Sequence, residues 1–215
     1  MKKYFLLLSL IFIGVSGFSQ GIRFTVFGEP QLCWFTPDSK NMESAGSMIG
    51  FNGGLNFDNF FTENYAFSTG ISINNVNGRL KYLESTSVRG LDSLYTISSG
   101  DVATYHLQYI QIPIGLKFKT IEIGYSRIFA HLGMNAGINI QSKGDLPQVK
   151  DVDAADVFHW YNVGYYIGGG LEYSLGGSTA IVAGLTYKQG LSDITEAESL
   201  QLKTGVLSLR LGILF

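Results

Sequence analysis

The segment Arg127-Ile128-Phe129-Ala130-His131-Leu132-Gly133-Met134-Asn135-Ala136-Gly137-Ile138-Asn139-Ile140-Gln141 places an apolar residue at almost every second position. Ile128, Ala130, Leu132, Met134, Ala136, Ile138 and Ile140 share one parity. His131, Gly133, Asn135, Gly137 and Asn139 share the other. Successive side chains of a strand point to opposite faces, so this alternation predicts a strand with one apolar face and one polar or small one. The segment is also long enough to cross a bilayer as a tilted strand, which takes about 9–11 residues.

The same pattern recurs on both sides of it. Over 21–35, Ile22, Phe24, Val26, Leu32 and Trp34 oppose Arg23, Thr25, Glu29 and Gln31. Over 48–58, Ile49, Phe51, Leu55 and Phe57 oppose Asn52, Gly54, Asn56 and Asp58. From Tyr65 on, Phe67, Ile71 and Ile73 oppose Ser68, Gly70, Ser72 and Asn74. Further segments cover 105–119, 160–175, 179–191 and 202–215. The expected fold is all-β: an eight-stranded antiparallel barrel, an even number as in bacterial single-chain membrane barrels. Connections expected at 59–64, 121–126 and 176–178 are short. Those at 36–47, 84–103, 142–157 and 192–201 are longer and polar. Such alternation predicts short periplasmic turns, long external loops and both termini in the periplasm.

Composition agrees with an apolar surrounding. Charged residues make up 15% and hydrophobic ones 46%, where a soluble domain carries about a quarter charged. Lys2 and Lys3 precede an apolar run from Tyr4 to Val15, and small residues follow at Ser16, Gly17 and Ser19. This order predicts a cleavable signal peptide over 1–19, cut before Gln20, with a barrel domain over 20–215. No later stretch is apolar enough for a helical span, and a membrane chain without one must close as a barrel. Cys33, the single cysteine, excludes an intrachain disulfide framework. The formal net charge of −2 and the lack of a basic patch argue against a nucleic-acid partner.

Charge placement decides which face meets lipid. Arg23, Glu29, Lys117, Glu172, Lys188 and Arg210 all fall on the parity opposite the apolar one. A Lys or Arg facing lipid at the midplane costs about 2–4 kcal/mol, so these six are assigned to the lumen as a charge network. The glycine-rich polar face suits the narrow bore of eight strands, and the large apolar side chains are expected outside. Trp34, Tyr65, Phe67, Tyr105, Phe118, Trp160, Tyr161, Tyr173 and Phe215 lie near strand ends, where aromatic girdles form.

With the strands placed, Gln108-Tyr109-Ile110-Gln111-Ile112-Pro113-Ile114-Gly115-Leu116-Lys117-Phe118 resembles a strand of the PorT-like outer-membrane β-barrel family of the Bacteroidota. Val163-Gly164, Gly168-Gly169-Gly170-Leu171-Glu172-Tyr173 and the stretch from Tyr187 to Ile194 resemble later strands of that family. The resemblance implies the outer-membrane barrel fold, a local irregularity at Pro113, and in some members a link to type IX secretion or gliding. Leu207 to Phe215 resembles the C-terminal signal that delivers outer-membrane barrels to the assembly machinery.

No spacing specifies catalysis or a cofactor. His106, His131 and His159 have no nucleophile at a defined distance in sequence, so an enzyme is not expected. Asp151, Asp153 and Asp156 lack the glycine and distal glutamate of a calcium loop. They read as a solvated acidic loop, with cation bridging to lipopolysaccharide as the alternative, and no metal site is assigned. The lumen charges either pair and plug the bore or line a narrow path for small solutes. Function is expected in the external loops, the longest being 84–103, facing outer-membrane lipids, lipopolysaccharide or a protein partner. The refolded protein should migrate faster on a gel when unheated; a detergent-independent soluble monomer would refute the membrane assignment.

Overall fold

The computed structural model describes residues 21–89, 94–195 and 201–215; the expected signal peptide, 1–19, lies outside them. The strands are β1 (Ile22–Pro37), β2 (Met42–Phe60), β3 (Tyr65–Tyr82), β4 (Thr86–Arg89), β5 (Leu94–Ile97) and β6 (Val102–Lys119). There follow β7 (Ser126–Asp145), β8 (Val152–Asp153), β9 (Tyr161–Gly176), β10 (Thr179–Gly190) and β11 (Leu202–Leu214). Eight of them, β1, β2, β3, β6, β7, β9, β10 and β11, form a closed antiparallel ring. The ring closes between the first and last strands, from Thr25 against Leu214 to Pro37 against Leu202. Phe24 and Phe215 extend that seam, the Phe215 N–H donating to Phe24 O at 2.8 Å. Closure leaves no edge strand in the wall, which is what lipid requires of backbone amides and carbonyls.

Sequence parity sets the two faces. Ile128, Leu132, Met134, Ile138 and Ile140 of β7 are exposed on the outer surface, as are Leu207, Leu209, Leu211 and Ile213 of β11. The outward apolar runs Tyr65 to Ile73, Phe118 to Ile110 and Leu207 to Phe215 each cover about nine residues, a bilayer crossing for a tilted strand. Aromatic pairs mark both limits. Tyr65 meets Phe118 at 5.6 Å at the end holding turns 61–64 and 120–125. Trp34 meets Tyr187 at 6.3 Å towards the other end.

Two expectations need correction. First, 36–47 is no long loop, because β1 and β2 run on to a turn at 38–41. That turn is as short as 61–64, so the short–long alternation fails at its first member. Much of 84–103 is likewise structured, as the β4–β5 hairpin and the start of β6. The physical reason is a reversal of polarity along unbroken strands. In β3, Ser68, Ser72 and Asn74 point inward and Phe67, Ile71 and Ile73 outward. Two residues further, Val76, Leu80 and Tyr82 point inward while Asn75, Asn77, Arg79 and Lys81 take the outer parity. Strand β6 reverses likewise: Tyr105, Leu107 and Tyr109 are buried inside, and Thr104, His106 and Gln108 face out. Below the reversal the wall has lipid outside, and above it water. A search for apolar-out alternation therefore stops at the membrane boundary although the strand does not.

Second, Tyr105 belongs to no girdle; it is 1% exposed, and its hydroxyl lies 2.7 Å from that of Tyr82 inside the barrel. The irregularity expected at Pro113 is a gap and not a bulge: against β7 it pairs regularly with Asn135. The register shift lies at Gln108/Tyr109 instead. Lacking an N–H, Pro113 interrupts the ladder on the β3 side, where pairing skips from Thr69–Ile114 to Ser72–Gln111 in unchanged register. The Thr69 hydroxyl spans this gap by donating to Pro113 O at 3.0 Å.

Tight curvature fixes certain glycines. Gly115 and Gly133 face each other across β6 and β7. A Cβ on Gly115 would sit 2.3 Å from Leu132 O and 2.4 Å from the Tyr166 hydroxyl. The glycine pair thus creates the space in which that phenol lies.

The polarity reversal makes a measurable distinction. Leu132→Arg, in the middle of the lipid band, should lower stability by about 2–4 kcal/mol in bilayer unfolding experiments, whereas Thr104→Arg, beyond the boundary, should cost about 0–1 kcal/mol. Equal losses would contradict the boundary.

Candidate functional site in the bore

The inner surface is layered. At the outer end an apolar cluster fills the bore. It contains Phe35 of β1, Met42 of β2, Leu80 and Tyr82 of β3, Tyr105, Leu107 and Tyr109 of β6, and Leu202 and Val206 of β11. Residues of the connections pack onto it: Ile97 from the β4–β5 hairpin, Leu146, Ala154 and Phe158 from 146–160, and Ile194 from 191–195. Phe158 packs edge-on against Tyr105 at 5.2 Å. A smaller cluster of Phe129, Ala180, Val182 and Leu214 lies at the end where strands meet the short turns.

Between them lies a polar layer. Glu29 is 0% exposed. Its Oε1 accepts from Arg210 Nε at 2.6 Å. Its Oε2 accepts from Lys188 Nζ at 2.7 Å and Asn52 Nδ2 at 2.8 Å. In a second group, Lys117 Nζ donates to Asp58 Oδ2 at 2.7 Å and stands 2.6 Å from Glu172 Oε1. The second contact is a charge contact, because neither Glu172 oxygen accepts a directed hydrogen bond among the described residues. Ser68 Oγ donates to Asp58 Oδ1 at 2.6 Å and accepts from Asn56 Nδ2 at 3.0 Å. Three carboxylates, Glu29, Asp58 and Glu172, thus face three cations, Lys117, Lys188 and Arg210. This balance is required, since an ion left unpaired in a buried site costs several kcal/mol.

All six residues assigned to the lumen from sequence sit on the inward parity, in two separate groups and a remainder. Glu29, Lys188 and Arg210 form one group, and Lys117 with Glu172 belongs to the other. Arg23 joins neither. Its directly opposed carboxylate, Asp58, is taken by Lys117 and Ser68. Asp58 itself, though on the polar parity, is a network member that the sequence reading left out of the charged set. Asn52 and Ser68 were legible only as polar-face residues, since nothing in their spacing names a carboxylate partner.

The space left over is small. A cavity of about 20 Å³ lies among Asn52, Asn56, Asn135, His131, Tyr166 and Arg210, room for about one water molecule. The side-chain oxygens of Asn52, Asn56 and Asn135 lack a hydrogen-bond donor among the described residues, and a water there would satisfy them. His131 is held by Thr186 Oγ1 at 3.0 Å and by the edges of Phe129 and Tyr166.

The other candidate residues do not converge. His106, on the outer surface, meets Asn77 Oδ1 at 3.0 Å and Asp145 Oδ2 at 3.7 Å. Among the described residues no hydroxyl or thiol nucleophile bonds to its ring. Ring stacking places His159 against Tyr161 at 5.6 Å. Asp151 pairs with Lys143 at 3.1 Å, and Asp153 Oδ1 accepts the Ala155 N–H at 2.9 Å. Among the described residues these acids form no cluster that could hold a metal ion.

The closed ring, its lipid-facing band and its polar, filled interior agree with a comparison against protein families. The outer membrane protein beta-barrel domain matches residues 13–196. The chain belongs to this family. It is therefore an outer-membrane protein, with the apolar band of the barrel in the lipid. Among solved structures, it is similar to the outer membrane protein OprG from Pseudomonas aeruginosa at 12% identity and a TM-score of 0.45, covering 90% of this chain and 94% of that one. Neisserial surface protein A gives 15% identity and a TM-score of 0.45, covering 91% and 98%. Ail, the attachment invasion locus protein of Yersinia pestis, gives 16% and 0.40, covering 90% and 97%. No curated protein matches the chain.

Charge balance inside this family member can be tested directly. Glu29→Leu strands Lys188 and Arg210 and should cost about 3–5 kcal/mol in equilibrium unfolding. Arg23→Gln breaks no ion pair and should stay within about 0.5 kcal/mol. A mild Glu29→Leu would show that water reaches these cations freely.

Proposed function

We propose that the barrel is closed to solutes and acts through the cap above the membrane. The observation that carries this reading is the continuous filling of the bore: apolar core, neutral charge layer, and a cavity of about 20 Å³. A path for ions would require these layers to part. The charge network of Glu29, Lys117, Glu172, Lys188 and Arg210 is then a structural plug. The role left for the molecule is interaction, with a protein or a surface glycan. Its contact surface lies on the outer connections, among residues 83–89, 94–101, 146–160 and 191–195.

The same proposal takes residues 1–19 as a cleaved signal peptide and 20–215 as the barrel domain. It places both ends of the chain in the periplasm, because the described ends lie beside the short turns. Lipopolysaccharide then surrounds the outer rim, and the strand ending at Phe215 engages the assembly machinery. The strand around Pro113 supports a position among PorT-like barrels of the Bacteroidota. A role as accessory to type IX secretion or gliding follows only from that resemblance. No catalytic role is assigned, because no nucleophile accompanies His106 among the described residues.

The refolded protein should give no resolvable single-channel current in planar bilayers; steady conductance steps would establish the small-solute channel instead. Retrieval under mild detergent as part of a larger membrane complex would support the accessory role.

A further inference from the structure

The charge balance of the bore leaves cations over at its inner mouth. Arg23 ends the inward row of β1 and Lys119 that of β6; Arg127, at the start of β7, has a carboxylate partner of its own. Arg23 and Lys119 share one aromatic floor. The Lys119 Nζ lies 3.9 Å from the centre of the Phe60 ring, and the Arg23 guanidinium carbon 5.7 Å from it. Neither has a carboxylate partner among the described residues. Every nearby carboxylate is otherwise placed. Asp58, opposite Arg23, is held by Lys117 and Ser68. Glu172, opposite Arg127, stands against Lys117. Glu122 pairs with Arg127. Glu63 lines the same groove but is exposed and bonds to neither cation. The groove between turns 61–64 and 120–125 has a volume of about 390 Å³ and includes Asn64 and Thr120.

Two half-buried cations on one ring repel each other. A cation–π contact returns only about 0.5–2 kcal/mol each. Arg127 beside them is paired with Glu122 and only borders the site. An oxyanion seated between the guanidinium fork and the ammonium would relieve that repulsion through charge-assisted hydrogen bonds.

We infer that the inner mouth of the barrel is a binding site for a phosphate group, held by Arg23 and Lys119 above Phe60 with Arg127 at its border. The site opens at the level where the wall meets the inner-leaflet headgroups, so the phosphate comes either from an anionic lipid headgroup or from free phosphate in the periplasm. This inference is independent of whether the bore conducts, since it concerns the mouth outside the plug.

The test uses the refolded protein, isotopically labelled, in a maltoside detergent free of phosphate. Titration with inorganic phosphate is followed by amide NMR shifts. A parallel arm compares nanodiscs of phosphatidylcholine with nanodiscs containing phosphatidylglycerol. Saturable shifts confined to residues around 23, 60–64 and 119–127 are expected in at least one arm. A response in the first arm alone identifies free phosphate, and one in the second alone identifies the lipid headgroup. The double variant Arg23→Gln/Lys119→Gln should weaken the response at least about tenfold while keeping the unheated gel mobility of the folded barrel. Lys81→Gln, which removes an exposed cation at the opposite end, should leave it unchanged. Absence of saturable shifts in both arms, or an unaltered response in the double variant, overturns the site.

Discussion

Everything in this molecule depends on satisfying backbone hydrogen bonds where no water can reach them. In lipid an unpaired amide or carbonyl costs several kcal/mol, so β1 must find β11 across almost the whole chain length. The seam from Thr25–Leu214 to Pro37–Leu202 is that solution. Once the ring closes at eight strands, its bore is only wide enough for side chains. That width explains the glycine contact of β6 and β7 at Gly115 and Gly133, and the seating of Tyr166 upon it. Where the ladder must break, side chains take over its bonds. Thr69 bridges to Pro113, and Asn77 Nδ2 donates to Ile49 O at 2.7 Å beside the irregular β2–β3 register.

A bore almost filled by side chains dictates the chemistry of what fills it. Charges on the inward parity avoid lipid but gain no free water, so they persist as matched sets. Glu29 serves two cations, and Lys117 serves two carboxylates. The surplus collects at the mouth, where Arg23 and Lys119 reach solvent. Above the polar layer the same parity carries Phe35, Leu80, Tyr82 and Tyr105. There the barrel behaves as a water-soluble one, with its apolar residues inside. One chain thus solves two opposite solvation problems along continuous strands.

That double solution governs how far the sequence could be read. Residues 127–141 disclose their strand because lipid and lumen impose a strict alternation on them. The stretch 36–47 looked like a loop because its polarity reverses, and Tyr105 looked like a girdle residue because it sits near a strand end. Tyr105 shares the inward parity of Tyr109 and Gln111, so a place near the strand end did not decide its environment. Pro113 opens a gap in the ladder to β3, while the register shift of β6 lies at Gln108/Tyr109. A missing donor need only open a ladder, whereas a bulge needs an extra residue.

The sequence by itself determined the class of fold, the number of membrane strands and the facing of side chains within the lipid band. These follow from local alternation and from the cost of charge in lipid, which act residue by residue. Only the tertiary structure decided who meets whom inside. That Glu29 joins Lys188 and Arg210, that Asp58 takes Lys117 away from Arg23, and that Phe158 and Ile194 seal the outer end depend on barrel curvature and strand stagger. Those bring together residues far apart in the chain, and no spacing along the sequence encodes such distances.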